Sequence, residues 1–451
     1  MPKLSLFKPD NSLMTSGSIK KRIILFAVPI FIGQLFQQLY STVDSLIVGN
    51  LIGKTALAAV TSTGSITFLI IGFFFGFAMG AGIVVAREIG AEDAERTEKA
   101  VHTSVAMGLF FSVAVSITGI VFSPVMLKLM GTPDEVMGEA TLYLRIIFAG
   151  STGLIMYNTF VGILQASGDS RHPLIYLICS SVLNVILDIV FIAVFKAGVE
   201  GAAAATIISQ FVSMILALRR LHGSGKGIQI HFSKIRFDFK TLKEIVRFGF
   251  PTAMQNSIID IANIFIQSYI NSFGADAMAG IGAYSKIEGF AFLPVISFSM
   301  AMSTYISQNV GAKRPDRVRK GMRFGLACTV ISIEIIGILA FILAPYLIEL
   351  FNSNPEVVHF GVLRARICAP FFFLLGFSNV TSAVMRGLGK PVAPLLVMIF
   401  FWCAVRVIVF LTVGRVYHNI LLTCWIYPIT WGLSTAVYGI LYRVYKKQGL
   451  Y

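Results

Sequence analysis

The chain contains twelve runs of predominantly apolar residues, each long enough to cross a membrane as an α-helix. Spanning about 30 Å of hydrocarbon takes about 20 helical residues. The runs occupy roughly residues 23–50, 57–86, 100–124, 138–166, 172–196, 198–218, 248–272, 279–308, 322–345, 357–385, 391–414 and 418–442. They predict an all-α integral membrane protein with twelve transmembrane helices.

Composition excludes most soluble classes of protein. Of the 451 residues, 56% are apolar and only 13% are charged, whereas a soluble domain has about 25% charged residues. The five cysteines lie in apolar runs without C-x-x-C or Cys/His spacing, so we expect neither disulfides nor a zinc site. Nucleotide-binding and hydrolase motifs are missing. The sequence therefore predicts no cofactor and argues against an enzyme.

The positions of the basic residues predict the orientation in the membrane. The N-terminus and alternate loops hold 28 of the 37 Lys and Arg residues, and the longest such loop is 219–247. Because cytoplasmic loops are enriched in Lys and Arg, we expect both termini in the cytoplasm. The same distribution accounts for the net charge of +15 without a nucleic-acid partner.

The two halves of the chain repeat each other at an offset of 221 residues. Matching pairs include Gly90 with Gly311, Arg96 with Arg317, Pro124 with Pro345, Arg145 with Arg366 and Gly168 with Gly389; Pro29 and Pro251 match at 222. Each half has six spans, an even number, so both enter the membrane in the same direction. The sequence predicts two six-helix lobes related by a parallel internal repeat, an organisation typical of transporters.

The repeat and the loops give the predicted organisation along the chain. It comprises a cytoplasmic tail (1–18), an N-terminal six-helix lobe (19–220), a cytoplasmic linker (221–241), a C-terminal six-helix lobe (242–445) and a second cytoplasmic tail (446–451).

Ionisable residues inside membrane spans are costly and indicate function unless they neutralise each other. Seven residues are the candidates that we place at membrane depth: Asp44, Asp188, Asp260, Lys286, Glu288, Glu334 and Arg406. Spans 1 to 6 hold almost no embedded base, so Asp44 and Asp188 must be protonated, hydrated or bound to a cation. In the second half acids and bases coexist, and the roles of those five residues stay open.

Two polar residues accompany these acids at one depth of the first half. Asn184 precedes Asp188 by four residues, which puts both on one helix face. Asp188 and Thr206 each lie eight residues from the outer end of their spans, or about 12 Å below the surface. In the second half, Phe265, Val405, Val409 and Tyr427 occupy the corresponding positions. The sequence predicts an ion-coupling site for H⁺ or Na⁺ formed by Asp44, Asn184, Asp188 and Thr206, in the N-terminal lobe only.

The first span also has a proline and a polar face. Pro29 allows the helix to bend, and Gln34, Gln37, Gln38 and Tyr40 follow it before Asp44. A polar face against lipid is unfavourable, so we expect these side chains to line a wet cavity; interhelical hydrogen bonding is the alternative for the glutamines. The 38 Phe and 16 Met suit an adaptable apolar lining.

The sequence resembles the multidrug and toxic compound extrusion (MATE) family along nearly its whole length. The resemblance lies in the two six-span repeats and in VPIFIGQLFQQLYSTVDSLIVGNLIG, REIGAEDAERTEKA, QNVGAKRPDRVRKG, LQASGDSRHP, MRGLGKPVAP and LNVILDIVFI. It implies an antiporter of the inner (plasma) membrane that exports cationic or amphipathic organic molecules against a proton or sodium gradient. We expect it to work as a monomer in the lipid bilayer.

Within that family the chain is similar to the DinF-like branch. That resemblance implies a bending proline at Pro29, coupling-site residues at Tyr40, Asp44, Asn184, Asp188 and Thr206, and further lining residues at Tyr143 and Asn158. The NorM-like branch keeps acids in spans 7 and 10; here span 10 has none, and Asp260 in span 7 is not clearly in register.

The alternative function is a lipid-linked precursor flippase of the same superfamily. Such a protein would carry a strongly cationic cavity, whereas we count two embedded bases, Lys286 and Arg406. A membrane enzyme would need a nucleophile or base constellation that is not found, and a channel would need a filter-like motif.

Overall fold

The protein is described by a computed structural model that covers residues 13–52, 54–224 and 227–447, apart from some side chains between 45 and 71 and those of residues 260–261. All regular secondary structure in these ranges is helical. The first half contains α1 (Ile19–Leu51), α2 (Lys54–Gly90), α3 (Ala94–Leu129), α4 (Asp134–Ala149), α5 (Ser151–Ala166), α6 (Arg171–Asp188) and α7 (Val199–His222).

The second half contains eight further helices. They are α8 (Phe239–Asn271), α9 (Ala275–Gly311), α10 (Pro315–Glu349), α11 (Pro355–Cys368), α12 (Phe372–Gly387), α13 (Val392–Val397), α14 (Val405–Val416) and α15 (Ile420–Lys447). Short π-helical segments follow α6 (Ile189–Val194) and separate α13 from α14 (Met398–Ala404), and a 3₁₀ turn (Ala369–Phe371) separates α11 from α12.

The predicted spans correspond to these helices. Within the described ranges, ten spans are long and apolar enough to cross a membrane, or eleven when α4 and α5 count as one span broken by 46°. The remaining predicted span, 248–272, overlaps α8 up to its last residue, Asn271, and α8 is 33 residues long. The all-α, two-lobe membrane fold predicted from the sequence is thus confirmed.

The repeat is visible in unusual backbone conformations as well as in residue identities. Glu92 and Lys313, 221 residues apart, both have left-handed φ angles, of 57° and 53°. Gly168 and Gly389, at the same offset, have φ angles of 93° and 87°. Non-glycine residues rarely adopt positive φ, so the paired occurrence indicates that the two halves turn in the same way after α2 and α9.

The chain divides into two compact units. Of the described residues, unit 1 comprises Leu13 and those between 28 and 253, and unit 2 comprises residues 14–27 and those between 254 and 447. By this division the first turns of α1 belong to unit 2 and those of α8 to unit 1, and the predicted lobe boundaries stay a prediction. In both helices the division falls within three residues of a proline, Pro29 or Pro251.

Packing within each unit explains this assignment of the helix starts. In unit 1, a Cβ atom added to Gly80 would lie 2.3 Å from the Gly249 backbone, and one on Gly76 would lie 2.4 Å from Ala253. Glycine therefore lets the backbones of α2 and α8 touch. In unit 2, the N–H of Met14 donates to Oε1 of Gln308 at 2.8 Å, and Arg317 donates to the carbonyl of Gly17 at 2.9 Å.

Candidate functional site

Asp188 is the last residue of α6, at the point where the helix passes into the π-helical segment. Its side chain is fully buried, and Asn184, one turn earlier, is 1% exposed. The surrounding hydrogen bonds fix the orientation of the Asn184 amide. Its nitrogen donates to Asp188 Oδ2 at 3.0 Å, and its oxygen accepts from the backbone N–H of Thr206 at 3.2 Å. A π-helical insertion is common at functional sites and here accompanies a buried acid.

The carboxyl groups of Asp44 and Asp188 are in hydrogen-bonding contact with each other. On each residue Oδ1 is buried and has no hydrogen-bond partner. Among the described residues no Lys, Arg or His forms an ion pair with either acid. Two acidic groups in contact away from water cannot both carry a negative charge at modest cost. The pair is therefore suited to hold one proton or one monovalent cation.

Three more side chains complete the surroundings of the acids. The Tyr40 hydroxyl forms a hydrogen bond with Thr206, and Tyr40 lies close enough to both acids to interact electrostatically. Tyr143 on α4 interacts in the same way with Asp44, Asp188 and Tyr40 and is 9% exposed. Thr206 Oγ1 also donates to the Ala202 carbonyl at 3.0 Å. Helices α1, α4, α6 and α7 thus each bring at least one polar group to this place in unit 1.

The other predicted cavity residues lie on the same unit without a described contact to the acids. Pro29 is buried within α1, which continues as an α-helix through it, and Gln34 is half-buried. Asn158 is half-buried on α5, and its amide donates to the carbonyl of Leu154 at 2.9 Å. Their predicted roles in substrate binding stay predictions.

The five ionisable residues of unit 2 with open roles have different environments. Glu334 accepts a hydrogen bond from the N–H of Phe373 at 2.9 Å, Lys286 is exposed, and Glu288 lies close enough to Arg406 to interact electrostatically. The side chain of Asp260 lies outside the described part of the chain.

Our count of two embedded bases is too low. Arg364 and Arg386 are 3% and 7% exposed; Arg386 donates to Gln255 and to Ser382, both at 2.8 Å. Arg386 follows directly after the predicted span 357–385, so the prediction places it outside the membrane. In the structure α12 includes Arg386 and extends to Gly387. Arg364 lies inside that predicted span. Its position within an apolar run is the sequence feature that indicates a buried arginine.

Comparison with known proteins is consistent with this architecture. The MatE family model matches residues 29–190 and again residues 251–411, once in each half. The chain is 27% identical to the probable multidrug resistance protein YoeA of Bacillus subtilis over 96% of this chain and 95% of that protein. It is 29% identical to the probable multidrug resistance protein YpnP of the same organism over 86% of this chain and 87% of that protein.

A solved structure of a known transporter has a fold similar to that of this chain. It is an outward-facing conformation of a multidrug resistance MATE family transporter, 25% identical to this chain. It superposes with a TM-score of 0.88 and covers 97% of this chain and 98% of its own. The chain therefore belongs to the MatE family and is a multi-pass membrane transporter, not an enzyme.

Proposed function

We propose that this protein is a secondary active multidrug efflux antiporter that exports cationic or amphipathic organic compounds in exchange for H⁺ or Na⁺. The observation that carries the proposal is the buried contact between Asp44 and Asp188, which has no basic partner among the described side chains. The similarity to probable multidrug resistance proteins supports drug-like substrates, and it favours efflux over the flippase alternative. Both termini are proposed to lie in the cytoplasm of a plasma-membrane protein.

The ion would bind where the two carboxyl groups meet. A proton bridges them directly, whereas Na⁺, a hard cation that prefers oxygen ligands, would take carboxylate oxygens with those of Asn184 and Thr206. In either case one positive charge enters a buried site and changes its net charge by one unit. This change supplies the differential stability that a two-state transporter needs.

The coupling site is proposed to work as in the DinF-like branch. The N-terminal lobe would hold both the ion and the substrate, with Pro29, Gln34, Tyr40, Tyr143 and Asn158 lining the cavity. The asymmetry of the halves supports this lobe, because hydrophobic Phe265, Val405 and Val409 occupy the positions that correspond to Asp44, Asn184 and Asp188. No cofactor and no second subunit enter the proposal.

Transport in proteoliposomes tests the function. Purified protein is reconstituted, and uptake of ethidium is followed with a pH gradient at zero sodium or with a sodium gradient at equal pH. We expect at least one of these gradients to drive ethidium uptake above that of protein-free liposomes. Ethidium uptake that is the same with a pH gradient, with a sodium gradient and with neither gradient would contradict antiport.

A further inference from the structure

A second cluster of buried polar side chains lies in unit 2, on α9, α11, α14 and α15. Arg364 and Arg406 are 3% and 1% exposed. Their guanidinium carbons lie 4.6 and 4.3 Å from the centroid of one ring, that of Tyr427. Stacking on an aromatic face favours a cation, but it leaves the N–H groups of a guanidinium without acceptors.

Several buried donors of this cluster have no partner. They are Nε and Nη1 of Arg364, Nη2 of Arg406, the indole N–H of Trp431 and the hydroxyl of Tyr284. Within the described ranges Arg364 makes no side-chain hydrogen bond, and Arg406 makes one, from Nε to Thr430 Oγ1 at 3.0 Å. Because buried donors are almost always satisfied in native proteins, this concentration indicates an acceptor that the chain itself does not supply.

The charges in the cluster do not balance either. Glu288 interacts electrostatically with both arginines, but no carboxylate in the described part of the chain lies within 4.0 Å of either guanidinium. Two guanidinium groups facing one carboxyl group leave an excess of at least one positive charge. An unpaired buried charge is strongly unfavourable, and one monovalent anion would neutralise it while accepting the free hydrogen bonds.

The cluster also has a defined place in the repeat. Arg364 and Tyr427 lie 221 residues after Tyr143 and Thr206, and Arg406 follows Val405, the counterpart of Asn184. The positions that surround an acidic pair in unit 1 therefore surround basic groups in unit 2.

We propose that unit 2 contains a binding site for a small anion, formed by the guanidinium groups of Arg364 and Arg406 and the indole N–H of Trp431. The ligand is a halide ion or the carboxylate or phosphate group of an organic molecule. Glu288 interacts electrostatically with both arginines and offsets at most one of their two charges. The site is separate from the proposed ion-coupling pair and does not depend on efflux activity.

Tryptophan fluorescence can report directly on this site, because two of the three tryptophans border it. Trp402 lies 5.1 Å from the Arg406 guanidinium carbon, and Trp431 belongs to the cluster. Trp425 is 44% exposed and is removed as Trp425→Phe. Iodide is then titrated into the purified full-length variant in detergent, with ionic strength held constant by a bulky sulfonate buffer.

We expect saturable quenching, because iodide occupies a discrete site beside Trp402 and Trp431. Adding Arg364→Gln or Arg406→Gln should abolish saturation or weaken the apparent affinity at least about tenfold, since charge-assisted hydrogen bonds are lost. Arg386→Gln serves as the matched control, because Arg386 is a buried arginine of the same unit with its own partners; saturation should persist there. Competition by chloride alone identifies a halide site, and competition by acetate or phosphate identifies a site for organic anions.

A second measurement covers the case in which an arginine variant does not fold. The unfolding temperature of the unaltered protein should rise saturably with chloride, acetate or phosphate in the same buffer, because a ligand of the native state stabilises it. The proposal would be overturned if the fluorescence quenching of the Trp425→Phe protein increased linearly with iodide concentration and did not saturate. Saturation with an unchanged midpoint in both arginine variants would also overturn it, as would an unfolding temperature that does not respond to any of the three anions.

Discussion

Two carboxyl groups in contact repel each other when both are ionised, and this governs what Asp44 and Asp188 can do. Their proximity is stable when one proton or cation lies between them, and it becomes unstable when that charge leaves. The Asn184 amide donates to Asp188 on one side, and Tyr40 and Tyr143 lie close to both acids. Loss of a shared charge would therefore change the electrostatic surroundings of side chains on α1, α4 and α6 together.

Replacing either acid should uncouple transport. Asp44→Asn and Asp188→Asn each leave a pair that cannot exchange its charge, so we expect gradient-driven efflux to fall at least about tenfold while the protein still reaches the membrane. Efflux from proteoliposomes, normalised to protein content, measures the effect.

Glu334→Gln is the matched control, since Glu334 is a unit 2 acid that accepts a backbone hydrogen bond; we expect it, and Asp260→Asn, to retain more activity. An Asp260→Asn protein as inactive as Asp188→Asn would move the coupling site to the other lobe.

Sequence reasoning was informative about the acids and less so about the bases. The convergence of Asp44, Asn184, Asp188 and Thr206 could be anticipated because helical rise and periodicity fix depth and face. Tyr143 was anticipated only by resemblance, since one tyrosine in an apolar run carries no signal of its own. The burial of Arg364 was missed, because a base near a span end usually extends toward water.

At the scale of single helices, α1 is divided between the two units close to Pro29. A proline removes one backbone hydrogen bond of the helix and makes a bend inexpensive. Asp44 lies fifteen residues further along the same helix, so a change in its charge acts on a segment that can already bend. The bend would narrow the proposed cavity of the N-terminal lobe and expel the substrate. The ion and the substrate would then not compete for the same atom.

Pro29→Ala should therefore keep substrate affinity and lose ion-driven release. Alanine restores the hydrogen bond and favours a continuous helix, so the charge change at Asp44 no longer shifts the conformation. Ethidium binding by fluorescence anisotropy should stay within about twofold of the unaltered protein, whereas efflux under a pH or sodium gradient should fall toward background. Full efflux activity in Pro29→Ala would refute this role of the proline.

The contact between α2 and the start of α8 gives a stability prediction. Gly80→Val places a branched side chain against the Gly249 backbone, which a Cβ at residue 80 already approaches to 2.3 Å. We expect a loss of about 1–3 kcal/mol or more from overpacking, seen as a lower unfolding temperature in detergent. Gly64→Val is the control, because no atom of the described side chains and backbone lies within 4 Å of a Cβ at that position on α2. Equal unfolding temperatures for the two variants would contradict the close crossing.

The sequence indicates where the helices are, but it does not reveal their irregularities. Apolar runs identify the spans because side chains that face lipid must be apolar. The π-helical segments after α6 and before α14 have the same apolar composition as the helices beside them, so the runs do not predict them. The break between α4 and α5 falls at Gly150, where a Cβ would meet Ile207 at 2.3 Å. That close approach depends on tertiary packing, which hydropathy does not encode.

For the whole molecule, one ancestral six-helix unit has been used twice with different chemistry. The family model matches both halves and the left-handed residues recur at the same offset. The buried acids of unit 1 and the buried arginines of unit 2 nevertheless lie at different positions of the repeat, because Phe265 and Val409 correspond to Asp44 and Asp188. The compact units could not be predicted from chain order, because the first turns of α1 and α8 pack according to glycine and backbone contacts.

The central claim is that Asp44 and Asp188 share one exchangeable charge, and infrared difference spectroscopy of the purified protein in lipid tests it most directly. Acid-minus-alkaline spectra report the C=O stretch of protonated carboxyl groups. We predict a band in the unaltered protein whose frequency and titration midpoint both change in Asp44→Asn and in Asp188→Asn, because the remaining carboxyl group no longer shares its proton with a second acid, and that weakens on adding Na⁺ if sodium takes the same place. A band that persists unchanged in either variant would contradict the account.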